Sequence, residues 1–294
     1  MKILVTGATG FVGSHLVPAL IDAGHDPLAG TRHADDYDGP GQPVALDMGD
    51  PEQIGSALDG CDAAYYLVHA MEGDPDADFR EKDRRSANAF AAAAAERQVR
   101  VVYLGGLENG DADSEHLQSR LEVGRILRER ADAVELRAAV VVGAGGASYE
   151  MLKGLVEKLP VMFTPTWARS KTQPIGLRDA LRYLVAALDL APGHYDIGGP
   201  EVLTYVEMLE CYAEVSGRKR VVVPVPGVPE ALSARGVALL TGQPLALVAP
   251  LIESLRVDTV VTEDRIRELV PFTPLDFTGQ VRDALGQEAA QQVG

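Results

Sequence analysis

The sequence predicts an α/β protein in which a doubly wound parallel sheet is followed by a small C-terminal α/β substrate lobe. Over the first half of the chain, short apolar runs alternate with amphipathic helical segments, and this alternation is typical of a parallel sheet built from βαβ units. The first apolar run passes directly into a glycine-rich turn. A chain of 294 residues is long enough for one large domain or two unequal lobes.

The turn between the first strand and the first helix is the most informative stretch. Residues 2–5 form an apolar run, the sequence TGATGFVG follows without a spacer, and a helical pattern begins at once. Gly7, Gly10 and Gly13 bring bare backbone N–H groups to a helix N-terminus, where the helix dipole favours an anion such as a pyrophosphate. Because the strand, turn and helix occur in the required order, the pattern favours a nucleotide site over the alternative of a merely structural turn.

The overall charge excludes one class of partner. The chain has 43 acidic and 27 basic residues, a formal charge of -16 and a pI near 4.8. An acidic surface repels phosphate-rich polymers, so we expect no nucleic-acid partner. Only six of the basic residues are lysines, which fits either adaptation to high salt or a GC-rich genome.

Two cysteines and the N-terminus bear on the compartment. Cys61 and Cys211 show no metal or redox spacing, so we expect reduced thiols and no metal site. Met1 leads directly into the first strand, which predicts a cytoplasmic protein without a signal peptide.

The residue after the second strand predicts which cofactor is bound. Residues 27–30 form this strand, and Arg32 follows it. In dinucleotide-binding folds an acidic residue near this place binds the ribose of NAD, whereas an arginine accommodates the 2′-phosphate of NADP. The sequence therefore favours NADP(H) over NAD(H). In the alternative interpretation, Arg32 is a solvated loop charge that pairs with Asp35 or Asp36.

The next elements continue the βα alternation. We expect strands at 44–46, 61–70, 101–104 and 134–142, and helices at 51–58, 79–98 and 115–129. Ligands of open α/β sheets lie beyond the carboxyl ends of the strands. Leu67, Val68 and His69 are therefore expected at the cofactor cleft, although His69 can equally satisfy a backbone group.

The second half has a looser pattern. We expect a helix near 149–159, an apolar segment at 160–167, strands at 195–197 and 220–225, and a capping box at Thr204 that opens a helix ending at Val215. Thr262 is expected to cap a short helix that ends near Pro271. Residues 1–147 are predicted to form the cofactor domain, and residues 148–294 to complete the sheet and form the substrate lobe.

Residues 236–255 are strongly apolar. Gly242, Pro244 and Pro250 interrupt them, and Glu253 lies inside them, so a transmembrane helix is not expected. Buried helices that cover the substrate cleft are the favoured prediction, and a dimer or membrane-surface patch is the alternative.

Several motifs together resemble a known superfamily. TGATGFVG resembles the TGxxGxxG cofactor signature of the extended and atypical short-chain dehydrogenase/reductases. With YYLVHAM, DRRSANAF, HLQSR and LRAAVVVGAGGAS, the chain is similar to an atypical branch near the NmrA-like proteins and the accessory NAD(P)H-binding subunit of respiratory complex I. The resemblance implies a Rossmann sheet of about seven parallel strands.

The resemblance also implies site residues. The cofactor contacts would be Gly7, Thr9, Gly10, Phe11, Val12, Gly13, Gly105 and Arg120, with Asp47 at the adenine edge and Met48 beside it. The segment at 160–167 would wall the substrate pocket. There Phe163 and Trp167 are candidates to stack on a flat substrate, the alternative being that both belong to the core.

The catalytic signature departs from the superfamily pattern. A Ser after the fifth strand and a Tyr-x-x-x-Lys on the next helix are expected, but Gly105 or Gly106, His116 and Arg120 occupy these places. An imidazole can donate a proton near neutral pH, and an arginine can bind ribose hydroxyls but does not titrate as a lysine does. Alternatively, His116 is a surface or capping residue, and Arg120 pairs with Glu122 or Glu129.

The sequence thus predicts an NADPH-dependent oxidoreductase that reduces a small carbonyl, enone or quinone. Two alternatives stay open: a non-catalytic redox sensor or accessory module, and an NAD-dependent sugar-nucleotide epimerase or dehydratase. The expected partner is a small-molecule substrate, and a homodimer is also open.

Overall fold

The protein is described by a computed structural model that covers residues 1–69, 79–107, 115–165, 169–225 and 228–291. The strands are β1 (Lys2–Thr6), β2 (Asp26–Thr31), β3 (Gln42–Ala45), β4 (Ala63–Tyr66), β5 (Arg100–Gly106), β6 (Ala133–Ala138), β7 (Val141–Val142), β8 (Val161–Pro165), β9 (Lys171–Thr172), β10 (Ile175–Gly176), β11 (Gly193–Ile197), β12 (Leu203–Thr204) and β13 (Val221–Val225). The helices are α1 (Phe11–Asp22), α2 (Pro51–Leu58), α3 (Phe79–Glu96), α4 (Glu115–Arg130), α5 (Ala147–Lys158), α6 (Leu177–Ala186), α7 (Tyr205–Val215), α8 (Glu230–Thr241), α9 (Leu245–Ser254), α10 (Arg265–Leu269) and α11 (Phe277–Gln291).

A seven-stranded sheet forms the centre of the fold, in the order β11-β6-β5-β4-β1-β2-β3. All of its strand pairs are parallel. The predicted fold class is thereby confirmed. The strand order reverses at β1, whose neighbours are β2 and β4, and in such folds a ligand crevice opens at this switch point beyond the carboxyl ends of the strands.

Both faces of the sheet are covered by helices, because nearly every residue of the central strands is apolar. Ile3 and Val5 pack with α1 and α6 on one face, while Leu4 packs with α2, α3 and α4 on the other. All three side chains are completely buried. Full burial of one such side chain is worth about 1.5–3 kcal/mol relative to its exposure.

Two helices begin at side-chain caps, one of which is the capping box predicted at Thr204. The Asp50 carboxylate accepts hydrogen bonds from the N–H groups of Glu52 and Gln53 at the start of α2. Thr204 and Glu207 form a reciprocal capping box at the start of α7. These local signals could be predicted because each involves residues only two or three positions apart.

Two local predictions were wrong. The strand expected at 134–142 is two strands, because the chain leaves the sheet after Ala138 and β7 then pairs with β10. Thr262 does not cap a helix: its N–H and hydroxyl both donate to the buried Asp196 carboxylate, and α10 begins after Asp264.

The smaller lobe has its own core. α5, α7 and α11 pack together with the inner side of the β8–β13 pair. α8 and α9 form a hairpin that packs on α5 through Met151, Ala234, Val248 and Ile252. Within the described ranges, no helix has both the length and the apolar character needed to cross a membrane.

Candidate functional site

The glycine turn between β1 and α1 is tightly closed. Gly7 has a φ of +65°, in the left-handed region that favours glycine. Its carbonyl accepts a hydrogen bond of 2.9 Å from the N–H of Gly10. A Cβ placed on Gly13 would lie 2.2 Å from that same carbonyl oxygen, closer than real atoms approach. Gly13 therefore lets the first turn of α1 pack directly on the backbone of Gly7.

The N-terminus of α1 is open to an anion. Its N-cap, Gly10, has no side chain to cap the helix, and the first turn contains no acidic residue. The N–H of Ser14 donates to the carbonyl of Gly10, so the N–H groups of residues 11–13 precede the first helical hydrogen bond. These groups and the glycine backbone fit a dinucleotide pyrophosphate.

The chain after β4 lies against the glycine turn. The N–H of Leu67 donates to the hydroxyl of Thr6 over 2.9 Å, and Thr6 is completely buried. A Cβ on Gly7 would lie 3.1 Å from Cγ1 of Val68. The structure thus brings the predicted residues Leu67 and Val68 to the glycine turn.

His69 lies one residue beyond Val68 and contacts a buried aromatic ring. Its ring meets that of Tyr103 edge to face, with the centroids 6.1 Å apart. Tyr103 is in turn fixed on α4, because its hydroxyl donates to the carbonyl of Arg120. His69 therefore belongs to the boundary between the β4 and β5 ends.

Arg32 is exposed just beyond β2. The glycine turn is tied to this strand end, because the N–H of Ala8 donates to the carbonyl of Gly30. No described residue forms a hydrogen bond or an ion pair with Arg32, so Asp35 and Asp36 do not pair with it. The guanidinium is therefore available to a ligand.

Asp47 organises the turn after β3. One of its carboxylate oxygens, Oδ1, accepts a hydrogen bond from the N–H of Gly49, and its own N–H donates to the side chain of Gln53. Asp47 is exposed, whereas the neighbouring Met48 packs partly buried against the core on the α2–α4 face. The turn-forming role of Asp47 is thus present, and no described residue forms a hydrogen bond with its Oδ2.

Arg120 lies beneath the carboxyl end of β5. Its Nη2 donates to the carbonyl of Leu104 over 2.9 Å, while its Nε is buried without a hydrogen-bond partner. The alternative pairing with Glu122 or Glu129 is not present, because these residues pair with Arg80 and Arg125. The side chain of His116, in the first turn of α4, lies outside the described residues.

A buried carboxylate behind Arg120 was missed from the sequence. Glu135 of β6 is 2% exposed and forms an ion pair with Arg128 of α4 over 2.8 Å. It occupies the space left by two glycines, since a Cβ on Gly105 or Gly124 would lie 2.7 or 2.1 Å from its Oε1. Burial raises the pKa of the Glu135 carboxyl although Arg128 and two further arginines lower it. A glutamate inside a strand and a glycine inside a helix were the available signals.

Of the two candidate substrate contacts, Phe163 and Trp167, the structure describes only Phe163. Phe163 lies on β8 and is 68% exposed, whereas Met162 and Thr164 face the interior of the lobe. Trp167 lies outside the described residues. Phe163 therefore does not belong to the core.

A separate open groove of about 950 Å³ lies on the other side of α1. It is lined by α1 from His15 onward together with α6 and α11, including Arg182 and Asp283. Since the glycine turn is at the opposite end of α1, this groove is distinct from the candidate cofactor cleft.

Comparison with known proteins also assigns nucleotide binding to the first half of the chain. Residues 7–152 match a family model described as NAD(P)H-binding. The chain is 23% identical to subunit 9 of the NADH dehydrogenase [ubiquinone] 1 alpha subcomplex from Arabidopsis thaliana, a mitochondrial protein, over 95% of this chain and 77% of the relative. It is 28% identical to dTDP-6-deoxy-L-talose 4-dehydrogenase (NAD(P)(+)) from Kitasatospora kifunensis, over 76% of this chain and 82% of the relative.

Solved structures agree on the fold. A short-chain dehydrogenase/reductase superfamily protein from Agrobacterium tumefaciens with bound NAD superposes with a TM-score of 0.73 and 17% identity, over 100% of this chain and 99% of the other. UDP-glucose 4-epimerase from Thermotoga maritima superposes with a TM-score of 0.74 and 14% identity, over 99% and 100%. At these identities the likeness concerns the fold alone.

Proposed function

Because residues 7–152 match the NAD(P)H-binding family model, we propose that the chain is an atypical short-chain dehydrogenase/reductase and an oxidoreductase that reduces a small carbonyl, enone or quinone with NADPH. A nicotinamide cofactor supplies hydride to such an acceptor when it is bound. The observation that carries the proposal is the open N-terminus of α1, which Gly10 leaves uncapped and which the closed glycine turn supports.

The glycine turn binds the pyrophosphate in this proposal. The N–H groups of Phe11, Val12 and Gly13 donate to its oxygens, and Thr9 lies in the turn that leads to them. Gly7 leaves room for Val68 and the carbonyl of Leu67 beside the turn. The helix dipole adds a favourable field for the anion.

Arg32 selects the phosphorylated cofactor. Its guanidinium forms no hydrogen bond or ion pair with the described residues and can bind the 2′-phosphate through two parallel hydrogen bonds. Asp47 then reaches the adenine edge through Oδ2, and Met48 lies beside the ring. NADP(H) is therefore the proposed cofactor in preference to NAD(H).

The reacting end of the site lies beyond β4 and β5. Leu67, Val68, His69 and Gly105 border the nicotinamide and its ribose in this assignment. Arg120 orients the ribose through the N–H groups that it does not use on Leu104. His116 donates the proton that accompanies hydride addition, as an imidazole can near neutral pH.

A flat acceptor fits the candidate substrate contacts. Phe163 is exposed on β8, and Trp167 follows two residues after that strand. Aromatic rings stack on planar carbonyl, enone or quinone systems. These two side chains are the proposed wall of the substrate pocket.

A second function, NADPH sensing without turnover, is favoured by the β5 end. A serine at position 105 would place its Cβ 2.7 Å from Oε1 of Glu135, so the usual catalytic serine does not fit there without a shift of Glu135. Arg120 is already engaged by the carbonyl of Leu104. A third function, conversion of a nucleotide sugar, is favoured by the relative named as a dTDP-6-deoxy-L-talose 4-dehydrogenase.

Cofactor binding is tested first, by titration with NADPH and NADH while the fluorescence of Trp167, the single tryptophan, is followed. We expect Arg32→Ala to weaken NADPH binding about tenfold or more, which corresponds to one lost phosphate interaction, and to leave NADH binding unchanged. Arg125→Ala, on the exposed side of α4, is the matched control and should change neither affinity. Failure of the parent chain to bind either nucleotide would refute the proposal.

Turnover then separates the three functions. NADPH consumption that requires an added quinone, enone or aldehyde, and that His116→Ala reduces, supports the reductase. Tight NADPH binding without consumption across the acceptor panel supports the sensor. Conversion of a UDP- or dTDP-sugar without net cofactor change supports the epimerase.

A further inference from the structure

The hairpin formed by α8 and α9 has few charged residues. Across residues 230–254 the charged side chains are Glu230, Arg235 and Glu253, although charged residues make up 24% of the chain. The inner side of the hairpin is apolar for an evident reason, because Ala234, Val248 and Ile252 pack there against Met151 of α5. The outer side has no such reason to be apolar.

The outer side of α8 nevertheless exposes leucines. Leu232, Arg235 and Leu239 recur at i, i+3 and i+7, so they lie along one stripe of the helix. Leu232 is 63% exposed and Leu239 is 86% exposed. Gly236 on the same stripe adds no side chain, and its surroundings are open.

α9 continues this apolar outer side. Leu245 is 43% exposed, and Ala246 and Ala249 are also exposed. A helix that is apolar all round is typical of a helix buried on every side. We call Leu232, Arg235, Leu239 and Leu245 the hairpin surface, and its composition indicates an apolar partner.

The charge of the surrounding segment is opposite to that of the rest of the chain. Residues 216–254 contain the two acidic residues Glu230 and Glu253 and the four basic residues Arg218, Lys219, Arg220 and Arg235. This segment therefore carries a formal charge of +2, and the rest of the chain carries -18. Lys219 is exposed and makes no ion pair with any residue in the described ranges.

The basic and apolar groups are joined at one end of the lobe. The ammonium group of Lys158, at the end of α5, donates to the carbonyl of Leu240 near the end of α8. Three residues further along, Val161 of β8 pairs with Val221 of β13, and both are partly exposed. β13 in turn begins directly after Arg220. Exposed apolar groups thus adjoin cations at this end of the lobe.

We propose that the hairpin surface binds peripherally to an anionic membrane. The leucines would enter the boundary between headgroups and acyl chains, and Lys219 and Arg235 would lie against lipid phosphates. Apolar side chains combined with Lys and Arg are the chemistry that recognises an anionic bilayer surface. The acidic remainder of the chain would be repelled from the same bilayer, so the charge asymmetry orients the lobe toward it.

A second copy of the chain is the competing occupant. A two-fold interface brings the same patch of both copies together, so two segments of the same positive formal charge would meet. The anionic bilayer supplies the opposite charge instead. The charge pattern therefore favours the membrane.

Vesicle flotation of the full-length chain tests this proposal. We expect binding to phosphatidylcholine vesicles that contain phosphatidylglycerol, no binding to phosphatidylcholine alone, and release in molar KCl. The double variant Leu232→Gln/Leu239→Gln should weaken partitioning on the order of tenfold, because two apolar contacts are lost. Ile21→Gln/Leu269→Gln replaces two exposed apolar residues elsewhere and should leave partitioning unchanged.

A charge-reversal pair provides the second arm. Lys219→Glu/Arg235→Glu should abolish the preference for phosphatidylglycerol, whereas Arg85→Glu, at an exposed side chain on α3, should not. Circular dichroism melting establishes that each variant is folded, and the charge reversals keep the test valid if the leucine variant is not. The proposal is overturned if the parent binds neither vesicle, or if light scattering shows an oligomer that the leucine variant dissociates in the absence of vesicle binding.

Discussion

The region of the glycine turn and α1 and the α8–α9 hairpin contain the same kinds of residue in opposite environments. At the turn, a Cβ on Gly13 would meet the carbonyl of Gly7 at 2.2 Å. In the hairpin, a Cβ added to Gly236 or Gly242 would have no neighbouring atom within 4 Å. A glycine in the sequence is therefore informative only when the neighbour that excludes a side chain is known.

Apolar helical stripes show the same contrast. Leu16 and Leu20 of α1 are completely buried against the sheet, whereas Leu239 of α8 is 86% exposed. Both stripes have helical spacing. Periodicity thus identifies an apolar helix face, but it does not tell whether the partner of that face belongs to the same chain.

The largest expected effect comes from adding a single methyl group to a glycine in each of the two regions. Gly13→Ala should lower the free energy of unfolding by about 3 kcal/mol, because the clash is with backbone atoms that cannot rotate away, and should abolish nucleotide binding. Gly236→Ala should instead stabilise the protein by up to about 1 kcal/mol, since alanine favours a helix interior over glycine. Urea unfolding measures both. Equal effects of the two variants would show that the two glycines do not differ in their packing.

A second pair of glycine-to-alanine variants separates the cost of backbone strain from the cost of steric crowding. Gly7 and Gly242 both have positive φ, +65° and +78°, and alanine in this conformation costs about 1–2 kcal/mol. Gly242→Ala should cost this amount alone. Gly7→Ala should cost about 1 kcal/mol more, because its Cβ would also press on Val68 and on the carbonyl of Leu67. Thermal melts of both variants check the difference, and identical shifts would show that crowding at the turn is relieved.

Local features of the fold were predictable, and long-range ones were not. The Asp50 cap and the Thr204 capping box depend on neighbours in the sequence, and so does the glycine turn. The β7–β10 pair depends on residues more than thirty positions apart, which no local pattern records. The fold class followed because an unbroken series of βα units has few possible arrangements.

The candidate site was predictable in part for the same reason. Leu67 and Val68 lie beside the glycine turn as the strand-end rule requires. The position of Arg120 could not be derived, because its nearby acidic residues pair with other arginines. Glu135 was missed because its space is made by glycines on two other elements, β5 and α4.

The pH dependence of stability tests the tightly packed region through the buried Glu135. Burial raises the pKa of its carboxyl in the folded protein above that in the unfolded chain. The neutral form is then the one that the fold favours. Its stabilising contribution is complete below the unfolded pKa of about 4.3, and it is lost as the pH rises through the raised folded pKa.

Glu135→Gln should remove this pH dependence because the amide stays neutral. Between about pH 4 and about pH 7, the free energy of unfolding of Glu135→Gln relative to the parent should rise by about 1.4 kcal/mol for each pKa unit of the shift. Urea unfolding at several pH values measures the trend, and Glu129→Gln at an exposed position is the control. A constant difference between Glu135→Gln and the parent across this range would contradict the raised pKa.

The smallest expected effect is at Leu239, and it is informative because it is small. In the isolated chain, Leu239→Gln should change the free energy of unfolding by no more than about 0.5 kcal/mol, since the side chain is 86% exposed and loses few contacts. Leu16→Ala should cost about 2–5 kcal/mol in the same assay, because Leu16 is completely buried. A loss of more than about 1 kcal/mol for Leu239→Gln, especially one that grows with protein concentration, would mean that a second copy covers the leucine. The contrast between the two regions would then concern only the single chain, and the hairpin surface would be an interface between copies.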